Sequence, residues 1–164
     1  MNRVSLIGIT LLALSAVVAQ PAGSRTQAGD TAATQQSGCT AEAAKVLVRT
    51  FVRGYNGGQV AAIDHLWAPE PGFQWFSTGP PGGRLGSRAY NRATLSAYFR
   101  ARVRVHERLR LTVLRAGYDG QRNIVNFSGK LVRTADDLNA GPPHDFKGAA
   151  GCDSGKPTLI VWSM

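Results

Sequence analysis

The spacing of apolar residues changes after residue 102 of this 164-residue chain, and that change restricts the possible folds more than any other feature. In three segments between residues 40 and 102, apolar side chains recur every three or four positions, which is typical of helices that pack through one face. Further on, Leu109, Leu111 and Val113 alternate with Arg and Thr, which is the period of a half-buried strand. Helices followed by consecutive strands predict an α+β fold with an antiparallel sheet.

Polar residues and glycines mark where the predicted helices begin and end. Thr40 and Asn91 are suited to cap the first and third helices, because their side-chain oxygens accept hydrogen bonds from free N–H groups. The Asn-Gly-Gly sequence at 56–58 ends the first helix, since glycine adopts the left-handed conformation readily. A short second helix follows, then an aromatic strand at 73–77 and a glycine- and proline-rich loop at 78–86.

Four later strands are predicted as two hairpins. Their turns are Asp-Gly at 119–120 and Ser-Gly at 154–155. The strands cover residues 109–113, 125–131, 147–152 and 158–162. Gly129 interrupts the second strand, and we expect a β-bulge there. The strand at 147–152 consists mostly of small side chains, which leave room for a ligand or for close helix packing.

The first residues have the pattern of a secretory signal peptide. Arg3 precedes an apolar run at 4–19, which ends in small residues suited to cleavage before Gln20. The alternative is an uncleaved anchor helix, but the run is shorter than the roughly 20 residues that span a bilayer. We therefore expect a signal peptide at 1–19, a flexible leader at 20–38 and a folded domain at 39–164. The product would be secreted or periplasmic, with no membrane span after cleavage.

Two cysteines, Cys39 and Cys152, lie at opposite ends of the predicted domain. In an exported chain, an even pair of cysteines favours a disulfide over a metal site. A disulfide here would place the start of the first helix beside the strand that ends at Cys152. Two buried free cysteines are the alternative.

The order of elements, the sequence Phe-Val-Arg-Gly-Tyr-Asn-Gly-Gly at 51–58 and a third helix containing Tyr98 and Phe99 together resemble the NTF2-like (SnoaL-like) superfamily. The resemblance covers nearly all of 39–164. It implies a cone-shaped fold, in which three N-terminal helices pack on a strongly curved antiparallel sheet and a pocket opens at the wide end. The superfamily includes ketosteroid isomerases, dehydratases and epoxide hydrolases, but also binding and assembly modules, so the resemblance does not assign a reaction.

The ketosteroid isomerase pattern is not matched at the positions that carry its chemistry. The family's tyrosine in the first helix corresponds to Phe51, its general-base aspartate falls near Trp75, and its oxyanion-hole acid falls within 148–150. Proton abstraction beside a carbonyl needs a base and a buried donor, and these residues supply neither. The sequence therefore disfavours that reaction.

Four aromatic residues are our candidates for the lining of a pocket inside the cone, because large aromatic side chains both pack and orient ligands. They are Tyr55, Trp67, Phe73 and Trp75. The alternative is that they only form the core. Our leading prediction is an exported protein that binds a small apolar ligand in this pocket, without a cofactor.

An isomerase, lyase or hydrolase is the alternative function, for which the candidate acid–base residues are Asp136, His65 and Tyr55. Asp136 belongs to a pair of adjacent carboxylates, which would raise one pKa in a cavity but begin a solvated turn on a surface. The three histidines of the chain lack the spacing of a metal site, and we predict no metal.

A third interpretation is a protein-interaction module. The chain has 19 Lys and Arg against 10 Asp and Glu, a net charge of +9, and its arginines crowd near the third helix and the strand after it. Four of them, Arg102, Arg104, Arg108 and Arg110, are predicted to form a basic face, or else a solvated surface. The resemblance also implies a homodimer through the open side of the sheet. Nucleic-acid binding is disfavoured, because no basic–aromatic recognition motif is present.

Overall fold

Three helices and six strands make up residues 38–77 and 87–164, which are the residues that the computed structural model describes. The helices are α1 (Ala41–Asn56), α2 (Val60–Asp64) and α3 (Arg92–Arg104). The strands are β1 (Gln74–Ser77), β2 (Ser87–Ala89), β3 (Arg108–Asp119), β4 (Ile124–Thr134), β5 (His144–Gly151) and β6 (Thr158–Ser163). The predicted α+β class is confirmed, since the three helices precede the long antiparallel strands.

The six strands form one sheet in the order β2-β1-β6-β5-β4-β3. The strands from β3 to β6 are joined by antiparallel pairing of neighbours in the chain, as the hairpin turns predict. β1 pairs parallel to β6 and antiparallel to β2. The short strand β2 was not predicted. The parallel pair places β6 in the middle of the sheet although it is the last of these strands in the chain.

Both predicted N-caps are confirmed. The Thr40 side chain accepts a hydrogen bond from the Ala43 N–H at 3.0 Å, and the Asn91 side chain accepts one from the Thr94 N–H at 2.9 Å. α1 ends at Asn56, as predicted. The Asn56 amide donates to the Leu109 carbonyl at 2.8 Å and accepts from the Leu109 N–H at 2.7 Å. This side chain therefore continues the hydrogen-bond pattern of β3 and fixes the end of α1 against the sheet.

The predicted bulge at Gly129 is wrong. Gly129 pairs in regular register with Leu114 and Phe146, and the irregularity lies in β3, between Leu111 and Val113. A Cβ atom at Gly129 would overlap the Val113 carbonyl oxygen and come within 2.8 Å of the Phe146 ring. The glycine is needed because of this close approach and not because of a bulge.

The core lies between the helices and one face of the sheet, which we call the inner face. Phe51 of α1 is fully buried, and its ring contacts five other aromatic rings. The ring centroids lie 4.7–6.0 Å from Phe51, in Trp162, Phe99, Tyr55, Trp75 and Trp67. The helices therefore cover the inner face, and the opposite face of the sheet, the outer face, has no helix of the described residues packed on it.

The predicted disulfide between Cys39 and Cys152 is confirmed. It joins the residue before the N-cap of α1 to the residue after β5. Both cysteines are fully buried in a small second cluster with Ala44 and Val125. The bond therefore ties the first helix to the sheet at a point away from the aromatic core.

Some sequence predictions fall outside the described residues. These are the signal peptide at 1–19, the leader at 20–38 apart from its last residue, and the loop at 78–86. Within residues 38–77 and 87–164, none of the helices has the length and the apolar character that crossing a membrane requires.

Candidate functional site

A groove runs across the outer face of the sheet, over strands β3 to β6. Strand pairing aligns its residues in two rows, because paired residues of neighbouring strands point to the same face. One row is Arg115, Ser128, Lys147 and Ser163, and we call it the cationic row. The next is Gly117, Asn126, Ala149 and Val161, and we call it the flat row. The two rows together form a depression with cations on one side and small side chains on the other.

Two cavities open along this groove. The larger, of about 750 Å³, is lined by both rows and by the backbone between them. The smaller, of about 450 Å³, lies on the other side of the cationic row, towards Lys130 and Asp145. The larger volume lies within the roughly 300–1,000 Å³ of small-molecule sites. The outer face thus offers enough space for a small organic molecule.

The small side chains of β5 make this space possible. Ala149 forms the floor of the groove and is only 4% exposed. Beside it, Gly148 points to the inner face, where a Cβ atom would overlap the Phe127 ring and the Val161 carbonyl oxygen. The absence of that Cβ allows the ring of Phe127 to lie against β5. This strand therefore has small residues for two reasons, an open groove on one face and close aromatic packing on the other.

A second unusual feature is a set of charged side chains that we call the buried ion cluster. Arg102, Glu107 and Arg133 are buried, and the exposed Asp137 closes the cluster at the surface. The Glu107 carboxylate is fully buried and accepts hydrogen bonds from Arg102 Nε and, at 2.7 Å, from Arg133 Nε. Arg102 also donates two parallel hydrogen bonds to Asp137, at 2.7 and 2.8 Å. Two positive and two negative charges therefore balance within the cluster.

The cluster continues into a chain of hydroxyl groups. Arg133 Nη2 donates to the Tyr98 hydroxyl at 3.3 Å, and that hydroxyl donates to Ser77 Oγ at 2.7 Å. Burial raises the pKa of Tyr98, and burial together with the nearby Glu107 carboxylate raises the pKa of Tyr55. Both phenols therefore stay protonated. The Glu107 carboxylate is fully buried and is bound by two guanidinium groups, so we assign the cluster a role in the fold.

Hydrogen bonds from Arg102 hold the pKa of Asp137 below its usual value. A carboxyl whose pKa is lower in the folded state stabilises the fold above its unfolded pKa, and this contribution is lost as the pH falls through the folded pKa. At neutral pH, we expect Asp137→Asn to have a lower free energy of unfolding than wild-type protein. Between about pH 5 and pH 2, wild-type protein should lose more of this free energy than the variant does. Urea unfolding across this range measures the difference. Asp136→Asn is the control, and an equal loss in Asp137→Asn would contradict the prediction.

The four predicted pocket aromatics are all in the core. The exposed fraction is 2% for Tyr55 and Trp67, 1% for Phe73 and 0% for Trp75. Trp67 contacts the rings of Phe73 and Trp75 at centroid distances of 5.6 and 5.8 Å. Neither cavity described above is lined by any of the four. Their role in a pocket stays a prediction.

The three candidate acid–base residues lie in different environments. Tyr55 is buried beside the ion cluster, whereas His65 is exposed at the end of α2. Asp136 is also exposed, and its carboxylate lies 2.7 Å from His106 Nδ1. The buried phenol and the two exposed groups do not share a solvent-accessible site, so their arrangement gives no support to a common catalytic role.

The predicted basic face needs one correction. Arg104, Arg108 and Arg110 are exposed, but Arg102 is buried with only 2% of its surface exposed, because Glu107 and Asp137 bind its guanidinium group. Arg102 lies on the same side of α3 as Leu95, Tyr98 and Phe99, which face the core. The helical spacing places it there, and its charge is accommodated by the two carboxylates.

Two functional features were not found from the sequence. Glu107 is a single acidic residue among arginines, and the pattern around it does not reveal its burial. The cationic row depends on strand register, which brings together residues as distant in the chain as Arg115 and Ser163. The run of small residues in β5 is the feature of the sequence from which the groove could have been predicted. Among the described residues, no group of three or more His, Cys, Asp or Glu side chains is placed to hold a metal.

Solved structures with NTF2-like and cystatin-like folds are similar to most of this chain. An NTF2-like protein from Novosphingobium aromaticivorans is 12% identical, with a TM-score of 0.57 over 74% of this chain and 78% of that protein. A protein with a cystatin-like fold from Caulobacter vibrioides is 12% identical, with a TM-score of 0.59 over 74% and 85% of the two chains. An NTF2-like family protein from Streptomyces avermitilis that carries a provisional dehydratase assignment is 10% identical, with a TM-score of 0.58 over 75% and 92%. No family model and no curated protein matches the sequence.

Proposed function

We propose that this chain, which has the NTF2-like fold, is an exported binding protein that holds a small ligand in the groove on the outer face of its sheet. The observation that carries the proposal is the cavity of about 750 Å³ above Ala149. Its floor is formed by a small apolar side chain, and hydroxyl, amide and cationic groups surround it. Small-molecule sites commonly combine an apolar surface with a few polar groups that orient the ligand.

Export is supported by the disulfide as well as by the sequence of the first 19 residues. Disulfides persist in oxidising compartments and are rare in reducing ones. The Cys39–Cys152 bond is therefore in keeping with a secreted or periplasmic protein. The ligand would then be a compound met outside the cytoplasm.

The test is to fill the groove. Replacing Ala149 by leucine adds three carbon atoms to the floor, so we expect Ala149→Leu to abolish ligand binding while the domain stays folded. Amide chemical shifts, recorded with a mixture of small apolar fragments, report both binding and its location. Wild-type protein should show shifts at Ser128, Ala149 and Val161, and the variant should show none.

Thr134→Leu is the matched control, because Thr134 is an exposed residue of β4 that lines neither cavity. It should bind fragments as wild-type protein does. Shifts that survive in Ala149→Leu would contradict the proposal. The homodimer predicted through the sheet would cover this same groove. If native mass spectrometry shows a dimer that binds no fragment, the proposal of a ligand site is contradicted and the interaction module is favoured.

A second candidate site lies inside the fold, at the aromatic residues expected to line a pocket. The indole N–H groups of Trp67, Trp75 and Trp162 are buried and make no hydrogen bond among the described residues. Buried polar groups normally have a partner, so three such atoms in one core favour a bound molecule there. Fragment-induced shifts centred on Trp75 and Trp162, retained in Ala149→Leu, would support this interior site over the groove.

A further inference from the structure

The cationic row places two positive side chains on either side of a hydroxyl group. Arg115 of β3 pairs with Ser128 of β4, and Ser128 pairs with Lys147 of β5. Neighbouring strands are about 4.8 Å apart, so the backbones of Arg115 and Lys147 are separated by about 10 Å with Ser128 between them. Ser163 of β6 adds a second hydroxyl next to Lys147. Donors from four strands therefore line one straight row.

These cations have no counter-charge of their own. Arg115, Lys147 and Ser128 are exposed, and the two cations make no ion pair or hydrogen bond with any described residue. Lys130, in the adjacent row, differs because Asp145 binds it at 2.9 Å. The pairing of Lys130 shows that a carboxylate can be accommodated on this face. The cationic row has none, and its donors are free for an anion from outside.

The row suits an oxyanion. A guanidinium group presents parallel N–H donors that match two oxygens of a carboxylate, sulfonate or phosphate, and an ammonium group acts as a point charge beside them. Hydrogen bonds in which the donor or the acceptor is charged are roughly twice as strong as neutral ones. A hydroxyl between the two cations supplies a further donor to the same group.

The flat row favours a ligand that has an apolar part as well as a charged group. Gly117, Ala149 and Val161 carry no charge and form the apolar part of the larger cavity. A free inorganic anion would use the cationic row alone and would leave this apolar area exposed to water. A molecule with an apolar body next to its acid group would use both rows.

We propose that the ligand of the groove is a small amphipathic acid. Its oxyanion lies over Ser128 between Arg115 and Lys147, and its apolar body lies over Ala149 and Val161. This inference rests on the proposed function, because it names the class of ligand that the groove takes. It also assigns Arg115 and Lys147 as the residues that select for charge.

The test uses two dyes that differ in one group. 8-Anilinonaphthalene-1-sulfonate carries a sulfonate, and N-phenyl-1-naphthylamine is the same aromatic body without it. Fluorescence titration of the folded, oxidised protein should show the sulfonate binding at least about tenfold more tightly, which is the factor expected for one charged interaction. The variant Arg115→Gln/Lys147→Gln should remove this preference. Arg104→Gln should keep it, because Arg104 is an exposed residue of α3 that lines neither cavity. Unfolding midpoints of all variants verify that the dye reports the native state.

The outcomes separate this inference from the proposal on which it rests. If both dyes bind equally and Ala149→Leu abolishes both, the groove is a ligand site but the assignment of an anion is wrong. If neither dye binds, or if both bind unchanged in Ala149→Leu, the groove is not the site and both proposals fail. A preference for the sulfonate that survives in Arg115→Gln/Lys147→Gln also overturns the inference, because other residues would then bind the sulfonate.

Discussion

Replacing Glu107 by alanine is expected to lower the free energy of unfolding by about 3–5 kcal/mol, the cost of removing one partner from a buried ion pair. Glu107 is fully buried and is the carboxylate that joins Arg102 to Arg133. Without it, the two buried guanidinium groups lose the carboxylate that they share. Since domains are stable by only about 5–15 kcal/mol, this one change removes a large share of the total.

Urea unfolding followed by tryptophan fluorescence measures the loss, because three buried indoles report on the core. Glu107→Gln keeps the size and one acceptor oxygen but removes the charge, so its stability should fall between those of wild-type protein and Glu107→Ala. It also keeps the prediction testable if the alanine variant does not fold. Glu42→Gln is the control, since Glu42 forms an exposed ion pair with Lys45 and should change stability little. A Glu107→Ala midpoint equal to that of wild-type protein would show that the cluster is not a structural support.

Removing the disulfide is expected to have an effect of similar size. Cys39 and Cys152 are 113 residues apart in the chain, and cross-linking a loop of this length stabilises a domain by about 4–5 kcal/mol in the chain-entropy model. The double variant Cys39→Ala/Cys152→Ala should lose most of this free energy. The stabilisation arises mainly because the cross-link restricts the unfolded chain.

Unfolding of wild-type protein with and without reductant provides the matched comparison. The reduced wild type should unfold at the lower denaturant concentration of the double variant, and reductant should not affect the double variant itself. Intact mass before and after reduction verifies the bond, since the oxidised chain is lighter by two hydrogen atoms. If reduced and oxidised wild type unfold at the same midpoint, the bond does not contribute to stability as proposed.

The fold could be predicted from local signals. Thr40 and Asn91 are caps whose chemistry acts within three residues, and the change of apolar period lies in the chain itself. These features need no knowledge of distant contacts. β2 was not predicted, because it has only three residues and comes directly after a glycine- and proline-rich stretch. Its existence depends on pairing with β1, which is a tertiary contact.

The candidate site was harder to predict, because charge alone does not reveal burial. Arg102 and Arg108 have the same side chain, yet one is buried between carboxylates and the other is exposed. Only the three-dimensional positions of Glu107 and Asp137 distinguish them. The groove was partly foreseen through the small residues of β5, but its cationic row required the register of four strands.

The central position of β6 bears on how the domain is made. β1 pairs with β6 on one side and with β2 on the other, so the β1–β2 hairpin cannot join the sheet until β6 has emerged from the ribosome. The first and last strands of the described domain must find each other across most of its length, and contacts so distant in sequence slow folding. A chain that cannot complete its sheet during synthesis therefore remains incompletely folded until its last strand has been made.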